Sequence, residues 1–298
     1  MKLNPGIYAA QLVPYSLDGK VLEQSLAAMI ERNISIGKVD GLYIGGSTGE
    51  TFLSDTAAKM NVLEIAACTN ANRVSMIAQI GSINVREAES LARMAASLGY
   101  DAISAVTPFY YKFSFPEIRD YYIRLAEAAN LPMIVYSIPA LTGTSFDIEQ
   151  SRQLLEHPLI IGFKYTSGDL FTMERLINTF PDKIVFSGYD ELLLCGCALG
   201  AFGAIGSTYN IFSQLAKNIW NETNAGNLVK ARALQAQLNT FIQQLVSVGL
   251  YQALKEIISL SGIDTGQCLP PLAVLTREQK EEIRKLGKMF EAQGILQL

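Results

Sequence analysis

The stretch LIIGFKYTSG, residues 159–168, joins an apolar, strand-like run to a polar segment. Ile160, Ile161 and Phe163 are expected to lie in a core, and Lys164 follows them directly. An ammonium group in a core is costly because desolvation disfavours its charge. The stretch therefore predicts a lysine at the end of a buried strand, either reaching to water or doing chemistry.

The same arrangement, an apolar run followed by a helical pattern, occurs eight times along the chain. The eight runs are residues 6–15, 41–46, 74–82, 102–110, 132–139, 160–167, 183–190 and 203–210. Apolar strands that alternate with helices are typical of a buried parallel sheet in an α/β protein. Eight consecutive units favour a closed (β/α)8 TIM barrel over an open sheet, and no GxGxxG motif follows the first strand.

Several helix starts carry capping signals. The residues are Ser54, Ser114 with Glu117, Asp190 or Glu191, and Thr276 with Gln279.

A helical tail follows the eighth strand. Residues 227–249 carry apolar side chains at helical spacing, and Pro270 with Pro271 then interrupts the pattern. We therefore expect a barrel over residues 1–222 and a C-terminal helical extension over residues 223–298 that packs on it.

Composition narrows the class of protein. The 298 residues are 49% hydrophobic, with 24 Lys and Arg against 28 Asp and Glu and a net charge of −4. Without a basic block, nucleic acid is a poor partner.

The N-terminus does not resemble a signal peptide and no apolar run is long enough to cross a bilayer, so we expect a cytoplasmic protein without membrane contact. The cysteines form no CxxC pair, which favours buried, reduced thiols: Cys68, Cys195, Cys197 and Cys268.

Histidine chemistry is nearly excluded, since the only histidine is His157, in a helix-to-strand connection. A His-rich metal site is ruled out. An all-carboxylate metal site stays open as an alternative, although no Asp/Glu cluster at ligand spacing stands out, and no cofactor motif is present. We therefore expect neither metal nor cofactor, and chemistry carried by Lys, Tyr, Asp, Glu, Ser or Thr.

The active site of a (β/α)8 barrel lies at the C-terminal ends of its strands. Polar residues gather at those positions, and because the strands end at one rim, they should face one cavity. They are Ser47, Thr48 and Glu50 after strand two, Tyr110 and Tyr111 after strand four, Tyr136 near the end of strand five, Lys164 and Thr166 in strand six, Gly188, Tyr189, Asp190 and Glu191 after strand seven, and Gly206, Ser207, Thr208 and Tyr209 after strand eight.

Two of these features have both a chemical and a structural interpretation. Lys164, kept neutral by apolar surroundings, could attack a carbonyl and form a Schiff base; alternatively it snorkels to water. The GGSTGE turn, residues 45–50, could bind a carboxylate or phosphate through backbone N–H groups and the hydroxyls of Ser47 and Thr48, or could simply be a glycine-rich turn. It is not a P-loop, because no lysine follows Gly49.

Three further residues also have both a chemical and a structural interpretation. Tyr136 is either a core tyrosine or a proton relay one strand from the lysine. Asp190 and Glu191 either stabilise a helix start or accept hydrogen bonds from a polyhydroxylated substrate.

Together these segments resemble the dihydrodipicolinate synthase/N-acetylneuraminate lyase superfamily of class I aldolases, and within it the sialic acid aldolases. The resemblance runs from about residue 5 into the helical tail. The segments that carry it are DGLYIGGSTGET, DAISAVTPFYYKFSF, LPMIVYSIPALTG, GFKYTSGDL, FSGYDE and GAIGSTYNI, in chain order.

The resemblance implies reversible cleavage of N-acetylneuraminate to N-acetylmannosamine and pyruvate, through a Schiff base on Lys164. It implies that Tyr136 manages the proton of the substrate's C4 hydroxyl, and that Ser47 and Thr48 hold the pyruvyl carboxylate and orient that tyrosine. It also implies a homotetramer in which Tyr110 comes from a neighbouring subunit. The groups implied to contact the sugar chain are Thr166, Gly188, Asp190, Glu191 and Ser207.

Three positions bear on the alternatives. Val13 and Ser137 stand where many family members carry Thr and Asn, beside the expected site. Leu141 stands where dihydrodipicolinate synthases carry an arginine, which speaks against that activity. A 2-keto-3-deoxy sugar acid aldolase and a barrel that binds a sugar acid without turnover remain as alternatives, although the GYDE segment favours the longer sialic acid chain.

Overall fold

The computed structural model describes residues 3–296 and contains a closed barrel of eight parallel strands. Each strand pairs in parallel with the next, and β8 pairs with β1 to close the barrel. The strands are β1 Gly6–Ala10, β2 Gly41–Ile44, β3 Ser75–Gln79, β4 Ala102–Val106, β5 Met133–Ser137, β6 Ile160–Tyr165, β7 Ile184–Ser187 and β8 Gly203–Gly206. The predicted barrel is confirmed, and the strands end earlier than predicted because the last residues of most runs belong to the polar loops.

Helices follow the strands and continue beyond the barrel. They are α1 Glu23–Ser35, α2 Thr56–Asn70, α3 Val85–Ser97, α4 Phe115–Ala129, α5 Pro139–Thr142, α6 Ile148–Leu155, α7 Leu170–Thr179, α8 Leu193–Ala198, α9 Tyr209–Asn224, α10 Leu228–Val246, α11 Leu250–Ser259 and α12 Arg277–Ala292. Short 3-10 helices span Ser47–Gly49, Thr51–Leu53 and Asp190–Leu192. The helices α10, α11 and α12 lie within residues 223–298, the range predicted for a C-terminal extension, and are called the extension below.

Two predicted helix starts are confirmed as capping boxes. Ser114 with Glu117 caps α4, and Thr276 with Gln279 caps α12. In each box the side chains satisfy backbone N–H groups that the first turn of a helix leaves unpaired. Asp190 begins a 3-10 helix, so the regular helix after β7 starts later than predicted.

The prediction for Ser54 is wrong by one residue. Asp55 caps α2, and its carboxylate accepts a hydrogen bond from the Ala58 N–H at 2.8 Å. The Ser54 hydroxyl instead donates to the Thr51 carbonyl at 3.1 Å. Both residue types are good caps, and the preceding 3-10 turn decides which of them reaches the helix.

Alternation along the strands separates two cores. One lies inside the barrel and includes Tyr8, Tyr43 and Phe186, while the larger one lies between the strands and the helices. On β6, Phe163 and Tyr165 belong to the outer core, so the residue between them points into the barrel.

Aromatic rings join the extension to the barrel helices. The rings of Phe212, Phe241 and Phe290, from α9, α10 and α12, lie 4.5 to 5.5 Å apart between centroids. Such contacts add to the free energy gained by burying the rings. The extension is therefore anchored through a packed aromatic cluster.

The cysteines only partly follow expectation. Cys197 and Cys268 are buried and Cys195 is half-buried, whereas Cys68 on α2 is exposed. The prediction of burial is wrong for Cys68, because its position on α2 faces away from the strands. Within residues 3–296, no helix combines the length and apolar character needed to cross a bilayer.

Candidate active site

A cavity of about 180 Å³ opens at the C-terminal ends of the strands. Nine of the ten residues singled out as catalytic or substrate-binding line it: Ser47, Thr48, Tyr136, Lys164, Thr166, Gly188, Asp190, Glu191 and Ser207. The closed barrel brings them together because parallel strands end at a common rim.

Lys164 lies at the floor of this cavity with 4% of its surface exposed. Its Nζ is 4.0 Å from the ring centroids of both Tyr43 and Tyr136, and the β5–β6 register places Tyr136 directly beside it. Burial lowers the pKa of Lys164 to about 7, while the charge of Asp190 opposes that change. The amine therefore does not snorkel to bulk water, and a large fraction of it is neutral near pH 7.

Tyr136 provides a hydroxyl beside this amine. Burial raises the pKa of Tyr136 to about 12, and the hydroxyls of Ser47 and Thr166 partly offset the effect. The phenol is thus protonated at neutral pH, and it can relay a proton only when a neighbouring group takes up charge in the same step.

The GGSTGE turn contacts the loop after β8. Its residues 47–49 form a 3-10 helix, and the Thr48 Oγ1 lies 2.6 Å from the Ser207 Oγ. This contact brings together two cavity-lining hydroxyls that are 159 residues apart in the sequence. Together with the backbone N–H groups of the turn, they can bind a carboxylate.

Asp190 places a carboxylate in the cavity wall. Its Oδ2 accepts hydrogen bonds from the Thr208 N–H at 2.8 Å and the Thr208 Oγ1 at 2.6 Å. Burial raises the pKa of Asp190 to about 6, although these two bonds favour the ionised form. A Cβ at Gly206 would lie 1.8 Å from the Asp190 Oδ1, so only glycine permits this side-chain position.

Thr166 is held in a similar way by Gly188, where a Cβ would lie 1.9 Å from the Thr166 Oγ1. That hydroxyl oxygen is buried and makes no well-formed hydrogen bond among the residues the structure describes, although it lies near enough to the Tyr136 hydroxyl to lower the pKa of that phenol. A buried polar group without a partner is costly, so this hydroxyl is suited to bond a polar group of a ligand.

Tyr110, the tenth predicted residue, does not line the cavity of the single chain. It is 84% exposed, its φ of 81° is in the left-handed region, and its ring packs edge-to-face on Tyr111 at 5.1 Å. One chain alone therefore does not bring Tyr110 to Lys164.

The two departures from the family pattern lie behind the cavity wall. Val13 is buried in the outer core, and Ser137 is buried on β5, where its carbonyl accepts a hydrogen bond from the Thr166 N–H at 2.9 Å. Neither residue lines the cavity, so neither changes the groups that a ligand meets.

Some residues in and around the cavity were not anticipated from the sequence. Tyr43 packs on the Lys164 amine without lining the cavity, and it could have been found, because strand alternation turns it inward two positions before Gly45. Ile242, Leu250 and Tyr251 come from the C-terminal extension, and no local signal marks them. The extension therefore contributes directly to the cavity wall.

The extension also braces the turn that carries the acidic pair. On α10, the Gln235 Nε2 donates to the Asp190 carbonyl and the Asn239 Nδ2 donates to the Glu191 carbonyl, both at 3.1 Å. These bonds fix the backbone from which both carboxylates project.

The only histidine of the sequence lies away from the cavity. His157 precedes β6 directly and therefore lies at the opposite end of the barrel. Within the described part of the chain, no group of three or more His, Cys, Asp or Glu side chains is placed to hold a metal ion.

A closed (β/α)8 barrel that buries a lysine amine at the ends of its strands is typical of aldolases. The model of the dihydrodipicolinate synthetase family matches residues 4–289, and the chain belongs to this family. It is 46% identical to an N-acetylneuraminate lyase of Fusobacterium nucleatum subsp. nucleatum over 285 residues, which are 96% of this chain and 98% of that protein.

Solved structures agree with this assignment. The crystal structures of CdNal from Clostridium difficile in complex with mannosamine give a TM-score of 0.95 at 41% identity, over 96% of this chain and 99% of that one. The crystal structure of the Fusobacterium nucleatum lyase complexed with pyruvate gives a TM-score of 0.92 at 45% identity, over 96% of this chain and 97% of that one. A catalytic lysine mutant of the Ruminococcus gnavus sialic acid aldolase gives 0.94 at 26% identity, with 98% of both chains covered.

Proposed function

We propose that this protein is a Schiff-base aldolase that reversibly cleaves N-acetylneuraminate to N-acetylmannosamine and pyruvate. The observation that carries the proposal is the buried Lys164 amine, which lies 4.0 Å from the ring of Tyr136 in a cavity at the strand ends. The relatives named as N-acetylneuraminate lyases, and the related sialic acid aldolase with its catalytic lysine, support this substrate and this chemistry.

The reaction begins when the neutral Nζ of Lys164 attacks the C2 ketone of the open-chain substrate. Loss of water gives an iminium, whose positive nitrogen can accept an electron pair. The proton of the C4 hydroxyl leaves through Tyr136, the C3–C4 bond breaks, and its electron pair forms an enamine. N-acetylmannosamine departs as the aldehyde, and the enamine is protonated at C3 and hydrolysed to pyruvate and free lysine.

The remaining lining residues orient the two halves of the substrate. Ser47 and Thr48, on the turn after β2, hold the pyruvyl carboxylate. The unpartnered hydroxyl of Thr166 and the carboxylates of Asp190 and Glu191 receive the hydroxyls of the sugar chain. Gly188 and Ser207 complete that side of the cavity.

The proton relay is completed by Tyr110 of a second copy in a homotetramer. Aromatic side chains from the loop after β4 are exposed and packed on one another: Tyr110, Tyr111 and Phe113. A cluster of exposed aromatic rings is typical of a protein interface, and the left-handed backbone of Tyr110 is typical of residues held for function. The proposed location is the cytoplasm, where the free cysteines stay reduced.

Trapping the intermediate tests this function. The protein is incubated with pyruvate and cyanoborohydride, and the modified residue is found by peptide mass spectrometry. We expect a stable adduct on Lys164, and none in the variant Lys164→Arg, whose guanidinium cannot form the iminium.

Substrate ranking separates the proposal from the neighbouring aldolases. N-acetylneuraminate should be cleaved far faster than 2-keto-3-deoxygluconate, and the reverse order would assign the protein to the 2-keto-3-deoxy sugar acid aldolases. A parent protein that gives no adduct, together with a Lys164→Arg variant of full activity, would refute the Schiff-base mechanism.

A further inference from the structure

Glu50, the last residue of the GGSTGE turn, takes part in a buried ion pair that the proposed reaction does not use. The Lys255 Nζ lies 2.6 Å from the Glu50 Oε1, and the exposed fractions of the two side chains are 3% for Lys255 and 0% for Glu50. Removing two charges from water is costly unless further hydrogen bonds complete the pair. The pair therefore needs an explanation beyond packing.

Additional bonds tie both groups to the C-terminal extension and the loop that follows α11. The Glu50 Oε2 accepts a hydrogen bond from the Leu269 N–H at 2.5 Å, and the Lys255 Nζ donates to the Gln267 carbonyl at 2.9 Å. The GGSTGE turn is thus bonded to α11 and to the loop between α11 and α12.

The backbone of Glu50 explains why this turn needs an anchor. Its φ of 58° is in the left-handed region, which is strained for a residue with a side chain. Its N–H donates to the Ser47 carbonyl at 3.0 Å and closes the 3-10 turn. Holding the Glu50 side chain therefore holds the turn that presents Ser47 and Thr48 to the cavity.

The segment between β1 and α1 contacts the same turn. The Tyr15 hydroxyl donates to the Gly49 carbonyl at 3.0 Å, and the Lys255 Nζ lies 5.3 Å from the Tyr15 ring centroid. The Tyr15 carbonyl also accepts the Gln267 N–H at 2.9 Å. Anchors thus hold Gly49 and Glu50 directly behind the carboxylate-binding hydroxyls.

The helix that supplies Lys255 also supplies part of the cavity wall. Leu250 and Tyr251, at the start of α11, line the same cavity as Ser47 and Thr48. The ion pair therefore joins the turn that presents Ser47 and Thr48 to the helix that forms part of the cavity wall.

We infer that Glu50 and Lys255 are positioning residues for the substrate carboxylate, and that their ion pair couples the GGSTGE turn to the C-terminal extension. This inference rests on the proposed function. Neither side chain lines the cavity, so both act through the geometry of Ser47 and Thr48 and not by contact with substrate.

The test uses Lys255→Met and the double variant Glu50→Gln with Lys255→Met. The half-saturating pyruvate concentration is measured in the cyanoborohydride trapping assay, with kcat and KM for cleavage and the midpoint of thermal unfolding. We expect both variants to raise half-saturating pyruvate and KM about tenfold, the effect of weakening one hydrogen bond to a charged group, with a smaller change in kcat.

The midpoint of thermal unfolding distinguishes a positioning role of the ion pair from a purely structural one. Lys255→Met leaves a buried carboxylate unpaired and should unfold at a clearly lower temperature, whereas the double variant removes both charges and should recover most of that loss. If Lys255→Met does not fold, the double variant alone decides the question. A double variant that recovers stability and also binds pyruvate like the parent would overturn the inference.

Lys217→Met is the matched control. Lys217 pairs with Asp40 at 2.8 Å, just before β2 and thus at the opposite end of the barrel. The Lys217→Met variant should leave the half-saturating pyruvate concentration unchanged. An equal rise of that concentration in this control would also overturn the inference. A parent protein that traps no pyruvate would instead refute the proposed function, so the two failures are distinguishable.

Discussion

The buried amine of Lys164 should make Schiff-base formation depend on pH in a window centred near neutrality. The pKa of Lys164 is lowered from 10.5 to about 7, so the amine is protonated and unreactive below that value and neutral above it. The neutral fraction is then about one tenth at pH 6 and about nine tenths at pH 8. An exposed lysine would have only about 0.03% of its amine neutral at pH 7.

The assay is the initial rate of adduct formation at low pyruvate concentration, with cyanoborohydride in excess. The rate should rise roughly tenfold between about pH 6 and about pH 8 and then level off. In Asp190→Asn the half-rise should move to lower pH, because the charge of Asp190 raises the pKa of Lys164. The same assay on Lys164→Arg gives the background.

Two outcomes would refute this reasoning. A rate that keeps rising beyond about pH 9 would mean that the amine titrates like an exposed lysine. A half-rise that stays in place in Asp190→Asn would mean that the carboxylate does not act on the amine.

Three further predictions concern the interface, the cavity wall and the extension. Tyr110→Phe should slow cleavage without changing the mass measured by light scattering, and an unchanged rate would remove Tyr110 from the proton relay. Gly188→Ala should raise KM for N-acetylneuraminate, because the new Cβ would displace the Thr166 hydroxyl, whereas Gly168→Ala, which meets nothing within 4 Å, should not. Phe290→Ala should lower the free energy of unfolding by about 3 to 5 kcal/mol in a urea titration, and a loss below about 1 kcal/mol would contradict the anchoring role of the aromatic cluster.

Much of the barrel could be predicted from the sequence because its signals are local. Apolar runs alternating with helical patterns define eight βα units, and parallel strands joined by helical crossovers must end at one rim. Alternation along β6 then places Lys164 inside the barrel, between the outward-facing Phe163 and Tyr165. The neighbouring sequence alone could not distinguish Ser54 from Asp55 as the N-cap of α2, because both side chains can accept the same hydrogen bond.

The sequence by itself thus determined the barrel and the identity of the polar groups at its rim. Only the tertiary structure decided what surrounds them: the Tyr43 ring against the Lys164 amine, the α11 side chains in the cavity wall, and the ion pair between Glu50 and Lys255, which are 205 residues apart. The physical reason is that periodicity and capping act over a few residues. Contacts between distant segments depend instead on how the barrel closes and how the extension packs on it.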